Sequence, residues 1–376
     1  MKHILITDIQ NRKAFDVVSI LKYSFKNEHF ILAGESGKLF CKLCYGKADF
    51  VTLRTEKGKD RFDVDFGALL DKYRGEEIIY IPIEENTTDL FIDYVETYQL
   101  PCKFTYLLPT TDIYRTFRNK ENLNKYCLAN GFSAPMMYAI DKMQEADYPV
   151  ILKPAIGSGS HGIIRLYKPN DLTAGILHAI EKERYVVQEL IPNGKEVKGA
   201  FFLCVDGNLK GAYTHQRIRT SPEKGGVTVL SRMRYDYDLI QQGSELLSNV
   251  KWSGLVMLEY LWDERTQTYK VIEANPRLWG SIMLSEYGGA YLLTNYVRFC
   301  LGLQLKEASV NTDRYIRWVF LMDILNLFKR KFRIKGFWNF KNQCFINWSY
   351  ARKDRALCFL CFSIFNIQNI KKLFTR

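Results

Sequence analysis

A lysine beside a glycine-rich segment is the first place in this 376-residue chain where residue types and spacing could do chemistry. Lys153 follows the apolar run 150–152, and the glycine-rich segment 157–162 comes directly after it. Backbone N–H groups of such a loop can surround phosphate oxygens, and a nearby cation adds attraction for the same anion. This stretch therefore predicts a polyanion site, with an ordinary hairpin carrying a solvated lysine as the alternative.

The elements around segment 157–162 separate three kinds of phosphate-binding loop. Its glycines spell G-x-G-x-x-G, but a dinucleotide-binding fold needs a helix immediately afterwards. Residues 163–167 read Ile-Ile-Arg-Leu-Tyr, which is typical of a strand. A P-loop would end in Gly-Lys-Ser/Thr, which is not found here, and in a protein kinase the glycine hairpin precedes its lysine. The order strand, lysine, loop, strand instead predicts a flap that closes over phosphates.

Two later strands, 254–262 and 269–277, each carry a carboxylate in an apolar run, Glu259 in the first and Glu273 in the second. A short turn separates the strands, so pairing would bring the two acids together. With the amide of Asn275 they form a set of hard oxygen ligands that suits Mg²⁺ bound to nucleotide phosphates. A salt-bridged exterior is the weaker alternative, because an unpaired charge in an apolar strand is costly.

The N-terminal part of the chain alternates apolar strands with helical spacing, which predicts a parallel sheet in a small α/β domain. The predicted strands are 3–6, 30–34 and 77–82, and the predicted helices are 14–25, 66–73 and 89–98. A further helix is predicted over 115–131 and another over 171–182, with Lys120 near the start of the first. A lysine there opposes the helix dipole, which indicates either an anionic ligand or an exposed, solvated side chain. The polar segment 215–226 is predicted to be an active-site loop, with a plain surface loop as the alternative.

Length, composition and cysteine content indicate a globular protein of more than one domain. The length suggests two or three domains, and 47% hydrophobic with 25% charged residues are globular values. We expect no signal peptide and no bilayer-spanning helix, because no apolar run approaches about 20 residues. The chain has nine cysteines, an odd number, which favours free thiols in the cytoplasm. We interpret Cys41-x-x-Cys44 and Cys358-x-x-Cys361 as small buried hydrophobes rather than zinc or redox pairs.

The net charge of +12 is concentrated in the tail 306–376, which has 15 Lys and Arg against 4 Asp and Glu. The tail is also rich in Trp and Phe, and its apolar runs 318–328 and 356–367 are compatible with interfacial helices. This pattern predicts peripheral contact with an anionic membrane surface. Packing of the tail on the body of the protein is the alternative, and the sequence contains no nucleic-acid-binding motif.

The motifs occur in an order that resembles the ATP-grasp superfamily, particularly its carboxylate–amine ligases of the carbamoyl-phosphate-synthase type. The resemblance covers about 115–305. It implies an α/β and α+β fold with a Rossmann-like pre-ATP-grasp domain over 1–112 and a two-lobed ATP-grasp fold. The lobes would be a small lid subdomain over 113–189 and a large subdomain over 190–305, followed by a basic, aromatic helical extension over 306–376.

The same resemblance assigns roles to individual residues. Lys153 and Arg277 would act at the transferred phosphate, and Glu259, Glu273 and Asn275 would hold the metal. A hinge over 188–191 would meet the adenine, Met257 or Leu258 would pack under it, and Arg217 and Arg219 would lie on a loop near the acyl phosphate. The ATP-binding residues implied are Lys120, Lys153, Gly157, Ser158, Gly159, Ser160, Gly162, Gln188, Glu189, Leu190, Ile191, Glu196 and Leu258.

The implied function is an ATP- and Mg²⁺-dependent ligase, with Mn²⁺ as a substitute metal, that activates a carboxylate as an acyl phosphate and joins it to an amine. Construction of a cell-surface polysaccharide or its precursor would suit a membrane-proximal enzyme, and the resemblance favours a homodimer. One alternative is an enzyme that forms a carbamoyl or acyl phosphate. An alternative of another class is a membrane-associated nucleotide-binding protein without turnover. No Ser/His/Asp or Cys/His constellation was found, which agrees with chemistry that needs no side-chain nucleophile.

Overall fold

The structure is a computed structural model, and it forms two compact units. The first contains Met1–Leu107, Ile218–Arg234 and Arg277–Arg376, and the second contains Leu108–Arg217 and Tyr235–Pro276. The residues that the structure describes are 2–35, 37–157, 162–182, 184–192, 197–221, 227–317, 327–328, 330, 333–334, 337–339, 341–345, 350 and 353–365.

The secondary-structure elements follow one another with short connections. The strands are β1 (Lys2–Ile6), β2 (His29–Gly34), β3 (Asp49–Thr52), β4 (Glu77–Ile81), β5 (Lys103–Thr105), β6 (Met137–Tyr138), β7 (Val150–Pro154), β8 (Ile164–Leu166), β9 (Tyr185–Glu189), β10 (Lys198–Val205), β11 (Asn208–Ser221), β12 (Val227–Arg234), β13 (Gly254–Asp263), β14 (Thr268–Asn275), β15 (Tyr315–Arg317) and β16 (Gln343–Phe345). The helices are α1 (Arg12–Ser24), α2 (Lys38–Tyr45), α3 (Lys59–Lys72), α4 (Glu85–Thr97), α5 (Thr111–Arg118), α6 (Lys120–Ala129), α7 (Ala174–Lys182), α8 (Tyr237–Asn249), α9 (Ile282–Tyr287), α10 (Leu292–Cys300) and α11 (Lys353–Phe365).

The first unit is organised around a parallel sheet with strand order β3-β2-β1-β4-β5. Its central strands are almost entirely buried, as expected for a parallel sheet covered on both faces. The predicted strands and the α/β class of this region are confirmed. Helix α2 and the short strands β3 and β5 were not predicted, since each offers too few periodic residues to give a signal.

The C-terminal part of the chain also contributes to the first unit. Helices α9 and α10 contact α1, while β15 pairs antiparallel with β12 and parallel with β16. Helix α11 packs on α2, where the ring centroids of Phe362 and Phe40 lie 5.1 Å apart, and the Phe359 ring centroid lies 4.4 Å from that of Phe15 in α1. Packing of the tail on the body is therefore what the structure shows for α11, whereas 318–326 lies outside the described residues. In the described part of the chain no helix is long and apolar enough to cross a membrane.

The second unit has two sheets. Strands β14-β13-β10-β11 are antiparallel neighbours, and the smaller sheet has the order β6-β9-β7-β8. One face of the larger group is covered by an apolar core that includes Phe117, Leu246, Trp252 and Leu258. A separate cluster with Val150, Leu152 and Val187 covers one face of the smaller sheet. Lys153 and Glu259 lie on the opposite faces of these two sheets.

Three predictions of local structure need correction. The helix predicted over 115–131 is two helices, because the side chain of Asn119 accepts hydrogen bonds from the N–H groups of Glu121 and Asn122 and so caps α6. The helix predicted over 171–182 begins only at Ala174, after a 3-10 turn. The loop predicted over 215–226 is strand β11 as far as Ser221, and 222–226 lies outside the described residues.

The cysteine prediction is only partly right. All nine cysteines are free thiols. Cys41 and Cys44 are buried as expected, but Cys358 is half-buried and Cys361 is exposed.

Candidate functional site

One face of the small sheet presents Lys153. In the β7–β9 ladder Lys153 lies opposite Val186 and Ile151 opposite Gln188, so these four side chains share a face. The alternate residue, Leu152, belongs to the apolar cluster on the other face. The strand period of two therefore places the predicted lysine and Gln188 together. It also adds Ile151 and Val186, which the motif comparison missed.

The larger sheet presents the predicted acids on one face. Glu259 lies directly opposite Glu273, and Met257 lies opposite Asn275 in the same ladder. Leu258 falls between them in the strand and is fully buried in the apolar core on the opposite face. Of the two residues predicted to pack under the adenine, only Met257 shares the face of the acids, so the strand register favours Met257 over Leu258. The register makes the difference, since successive residues of a strand point to opposite faces.

The Lys120 side chain contacts both the glycine segment after β7 and the acid of β14. Its Nζ donates a hydrogen bond of 2.6 Å to the carbonyl of Gly157 and lies 3.5 Å from Oε1 of Glu273. Its backbone N–H donates to the carbonyl of Ala155 at 2.9 Å, which ties the start of α6 to the end of β7. A lysine is therefore favourable at the start of α6, because the Glu273 carboxylate and the Gly157 carbonyl both attract its ammonium.

The Lys153 ammonium is buried close to the charged groups of Lys120, Glu259 and Glu273. Burial lowers the pKa of Lys153 to about 8, the Glu273 and Glu259 carboxylates oppose that shift, and the Lys120 cation adds to it. Two lysines and two carboxylates therefore lie close together within the second unit. A polyphosphate entering such a site would gain two cations and would need a metal to offset repulsion from the two acids.

Gly162 ends the glycine segment in a conformation that suits glycine. Its φ is +70°, and a Cβ there would lie 2.9 Å from Cγ of Pro154 and 3.0 Å from Oη of Tyr185. Both the backbone conformation and the close packing therefore disfavour a side chain. Four of the predicted ATP-binding residues lie outside the described residues, namely Ser158, Gly159, Ser160 and Glu196.

The Glu189 carboxylate, which was predicted to belong to an adenine hinge, is bound by cationic side chains and a backbone N–H group. Its carboxylate accepts hydrogen bonds from Nζ of Lys270 at 2.5 Å, from Arg265, and from the N–H of Met136 at 2.9 Å. Burial alone would raise the pKa of Glu189, but these hydrogen bonds outweigh it and lower the pKa. The side chain is used in an ion network, so contact with a nucleotide would fall to neighbouring atoms of 188–191. Within that stretch, the N–H of Leu190 donates to Pro149 and Ile191 is buried.

His215 lies on the same face as the acids. Across the sheet, His215 is opposite Gly199, Gly199 is opposite Glu259, and Glu259 is opposite Glu273. A Cβ on Gly199 would lie 3.2 Å from Nε2 of His215, so the glycine leaves room for the imidazole. Burial, with a smaller contribution from Arg217, lowers the pKa of His215 to about 3. His215 is therefore neutral near pH 7 and suits hydrogen bonding better than proton abstraction.

Arg277 and Arg219 belong to the first compact unit. Nε of Arg277 lies 3.2 Å from Oε1 of Glu85, and its Nη1 donates to the carbonyl of Leu278 at 3.1 Å. Arg219, predicted to lie on a loop, is in β11, and its guanidinium lies 5.1 Å from the Phe337 ring centroid. The assignment of Arg219 to an acyl-phosphate loop is not supported by this position.

The acids fit a magnesium ion better than a transition metal. Among the described residues there is no group of three or more His, Cys, Asp and Glu side chains placed to hold a metal ion. Glu259 and Glu273 together with the amide of Asn275 instead offer oxygen donors only, from one face of two paired strands. Mg²⁺ is commonly held by one or two carboxylates while substrate phosphates complete its shell. The donor set is consistent with that arrangement.

Comparison with protein families gives a match over part of the chain. Residues 117–281 match the model of the family described as "ATP-grasp domain", which confirms the predicted resemblance. No curated protein sequence matches the chain.

Solved structures share the fold at low sequence identity. Pyruvate carboxylase from Rhizobium etli superposes with a TM-score of 0.63 and 16% identity over 84% of this chain, which spans only 30% of that longer protein. N5-carboxyaminoimidazole synthetase from Staphylococcus aureus gives 0.62 and 14%, covering 88% of this chain and 85% of that one. L-amino acid ligase from Bacillus licheniformis gives 0.58 and 13%, covering 84% and 78%. The predicted fold class, a parallel α/β domain followed by an ATP-grasp fold and C-terminal helices, is confirmed.

Proposed function

We propose that this protein is an ATP- and Mg²⁺-dependent ligase that activates a carboxylate as an acyl phosphate and joins it to an amine. The observation that carries the proposal is the convergence of Lys120 and Lys153 with Glu259 and Glu273 in the second unit. Glu259, Glu273 and Asn275 would hold Mg²⁺, or Mn²⁺ with the same ligands, and the ion would neutralise phosphate charge. A phosphoryl-transfer site needs this combination of cations and metal ligands and no side-chain nucleophile.

The reaction follows from the properties of a carboxylate. Its oxygen is a poor leaving group, so an amine does not displace it directly. Attack of a carboxylate oxygen on the γ-phosphorus of ATP forms an acyl phosphate and releases ADP. The amine nitrogen then attacks the acyl carbon, phosphate leaves, and the nitrogen loses a proton to water. Lys120 and Lys153 would hold and neutralise the phosphates in the first step.

An ADP-release assay tests the proposal. The purified protein with Mg-ATP is screened against amino acids and uronic acids, with and without a panel of amines, and products are identified by mass spectrometry. We expect continued ADP release over many turnovers, and an amide product, only when an acid and an amine are both present. The name of the Bacillus licheniformis relative, an L-amino acid ligase, supports placing amino acids first in the panel. Absence of ADP release over the whole panel would contradict a ligase.

Two other functions give different results in the same assay. An enzyme that makes a carbamoyl or acyl phosphate would release ADP with bicarbonate or a carboxylate alone. A nucleotide-binding protein without turnover would bind Mg-ATP and release no ADP. Glu259 and Glu273 favour turnover, because two acids beside bound phosphates are costly unless a metal is used.

The place of action that we propose is the cytoplasmic face of a membrane, where an enzyme of surface-polysaccharide or lipid-linked precursor synthesis would work. Leu39 and Leu43 on α2 are 67% and 41% exposed, and Phe362 on α11 is 42% exposed. Lys38 and Lys42 lie on the same exposed side of α2. A basic, apolar surface of this kind suits anionic lipid.

Co-sedimentation with vesicles containing phosphatidylglycerol tests this location. We expect binding that weakens in high salt and in a Leu39→Asp variant, whereas binding equal to that of neutral vesicles would contradict it. The assembly that we propose is a homodimer, which light scattering during gel filtration measures directly.

A further inference from the structure

The acids of β13 and β14 belong to a row of residues that crosses one face of the larger sheet, and we infer that His215 is the residue that positions Glu259 for metal binding. The inference rests on the proposed function, because it concerns an acid that would hold Mg²⁺. It adds a role for a histidine that neither the motifs nor the resemblance assigns.

The strand register places His215 two strands away from Glu259. Gly199 of β10 lies between them, paired with Glu259 on one side and with His215 on the other. The complete row is Glu273, Glu259, Gly199 and His215, and all four residues belong to the second compact unit. Because Gly199 has no side chain, His215 provides the next side chain beyond Glu259 in this row.

The imidazole of His215 extends over Gly199 in the direction of Glu259. A Cβ placed on Gly199 would lie only 3.2 Å from Nε2 of His215, so that nitrogen occupies the space above the glycine. Directly opposite residues on neighbouring antiparallel strands have Cβ atoms about 4.5–5.5 Å apart. A glutamate carboxylate stands well beyond its own Cβ, so that of Glu259 can span the remaining distance. The Nε2–H group of His215 is therefore placed to donate a hydrogen bond to the Glu259 carboxylate.

Two aromatic side chains restrict the orientation of this imidazole. The ring centroids of His215 and Phe201 lie 4.8 Å apart at an interplanar angle of 72°, which is an edge-to-face contact. The Phe201 ring stacks in turn on Tyr213, with centroids 4.5 Å apart, and both rings are fully buried. A donor that is locked by packing holds its acceptor in a defined direction, which a mobile donor does not.

The two acids would then each be oriented by a donor of their own. Nζ of Lys120 lies 3.5 Å from Oε1 of Glu273, and His215 would provide the corresponding hydrogen bond to Glu259. Carboxylates that ligate a metal are usually hydrogen-bonded themselves, and loss of such a partner typically lowers metal affinity or activity by about 10- to 100-fold. His215 is thus a positioning residue, which acts on the metal through Glu259.

Manganese binding measures this role without turnover, because free Mn²⁺ gives an electron paramagnetic resonance signal that is lost on binding. In the presence of ADP we expect His215→Leu to raise the dissociation constant of Mn²⁺ by about 10- to 100-fold. His215→Gln retains an N–H donor near the position of Nε2 and should stay within about threefold of the wild type. The affinity for ADP without metal should change less than about twofold in both variants, because the lysines that would hold the phosphates are unchanged.

His178→Leu is the matched control, since His178 is an exposed histidine on α7 of the same unit, and it should match the wild type. Melting curves establish that each variant is folded. If His215→Leu does not fold, His215→Phe keeps a planar ring against Phe201 without a donor and should give the same loss of Mn²⁺ affinity. In a Glu259→Gln background the His215→Leu change should have little further effect, because the two residues act as one unit.

The outcomes separate the inference from the proposed function. A wild-type protein that binds Mn²⁺ with ADP but releases no ADP from ATP with any acid overturns the proposed ligase, and the His215 variants still decide the inference. A wild-type protein that binds no Mn²⁺ with ADP overturns both. Unchanged Mn²⁺ affinity in His215→Leu overturns the inference alone. Equal losses in His215→Leu and His215→Gln, or fully multiplicative losses in the double variant, also overturn it, since either result would show that no hydrogen bond to Glu259 is involved.

Discussion

We predict that ATP binding weakens in mildly alkaline solution, because Lys153 of strand β7 is buried and loses its charge there. Burial lowers the pKa of Lys153 to about 8 in the free protein. Bound triphosphate favours the ammonium, so binding is coupled to protonation of this group. Deprotonation above pH 8 must therefore reduce affinity for Mg-ATP.

The size of the effect follows from that pKa. With a pKa of about 8, roughly 90% of the free protein carries the charged lysine at pH 7 and roughly 10% at pH 9. If only the charged form binds, the dissociation constant rises about tenfold between these values. The stability of the free protein responds with the opposite sign. Its lysine pKa is lower than the unfolded value of 10.5, so the cost of burying the charge, ~3 kcal/mol in total, is relieved as pH rises from about 8 to about 10.5.

Isothermal titration with Mg-ATP between about pH 7.5 and 9.5 measures the affinity, and the upper range avoids ionisation of the γ-phosphate. Lys153→Arg is the informative variant, because a guanidinium stays charged and should give nearly constant affinity over this range. Lys142→Arg, at an exposed lysine of the same compact unit, should retain the wild-type slope. Wild-type affinity that does not change, or an equal fall in Lys153→Arg, would refute the assignment of Lys153 to the phosphates.

Three further predictions concern the strands and the loop around the site. Gly162→Ala should lower stability by roughly 1–2 kcal/mol in thermal melting, since it forces a side chain into a left-handed conformation against Pro154, and a stability equal to the wild type would contradict that packing. Leu258→Ala should lower the free energy of unfolding by about 2–5 kcal/mol in denaturant, with little change in ATP affinity. Met257→Ala should instead weaken ATP binding severalfold, and the reverse pattern would indicate that Leu258 is the adenine contact. Glu273→Gln should reduce ADP release on the order of 100-fold and raise the Mg²⁺ concentration needed, and unchanged turnover would show that the metal assignment is wrong.

Sequence motifs located the parts of the site that depend on local order. Lys153, Gly162, Glu259 and Glu273 each stand out by type and spacing, and the antiparallel pairing of the two acid strands follows from the short turn between them. The N-terminal parallel sheet was also predictable, because apolar strands alternating with helices leave few other arrangements.

Motifs do not specify the face of a strand on which a residue lies. Leu258 lies on the face opposite the acids, and Glu189 lies on the face opposite Lys153. His215 was predicted to lie on the loop 215–226 because its neighbours are polar, whereas it lies in β11 with Gly199 and then Glu259 across the sheet. Register depends on pairing between strands distant in sequence, and a local pattern contains no information on it.

The sequence by itself determined the class of chemistry, because a phosphate site needs lysines, glycines and paired acids whose identity is visible without a fold. Only the tertiary structure decided which faces those residues share and what holds them in place. The contacts of Lys120 with Glu273 and of Glu85 with Arg277 join residues separated by more than 150 positions. Such contacts arise when chain segments pack to bury apolar surface, and charge pairing across them depends on distances of a few ångströms that spacing along the chain does not specify.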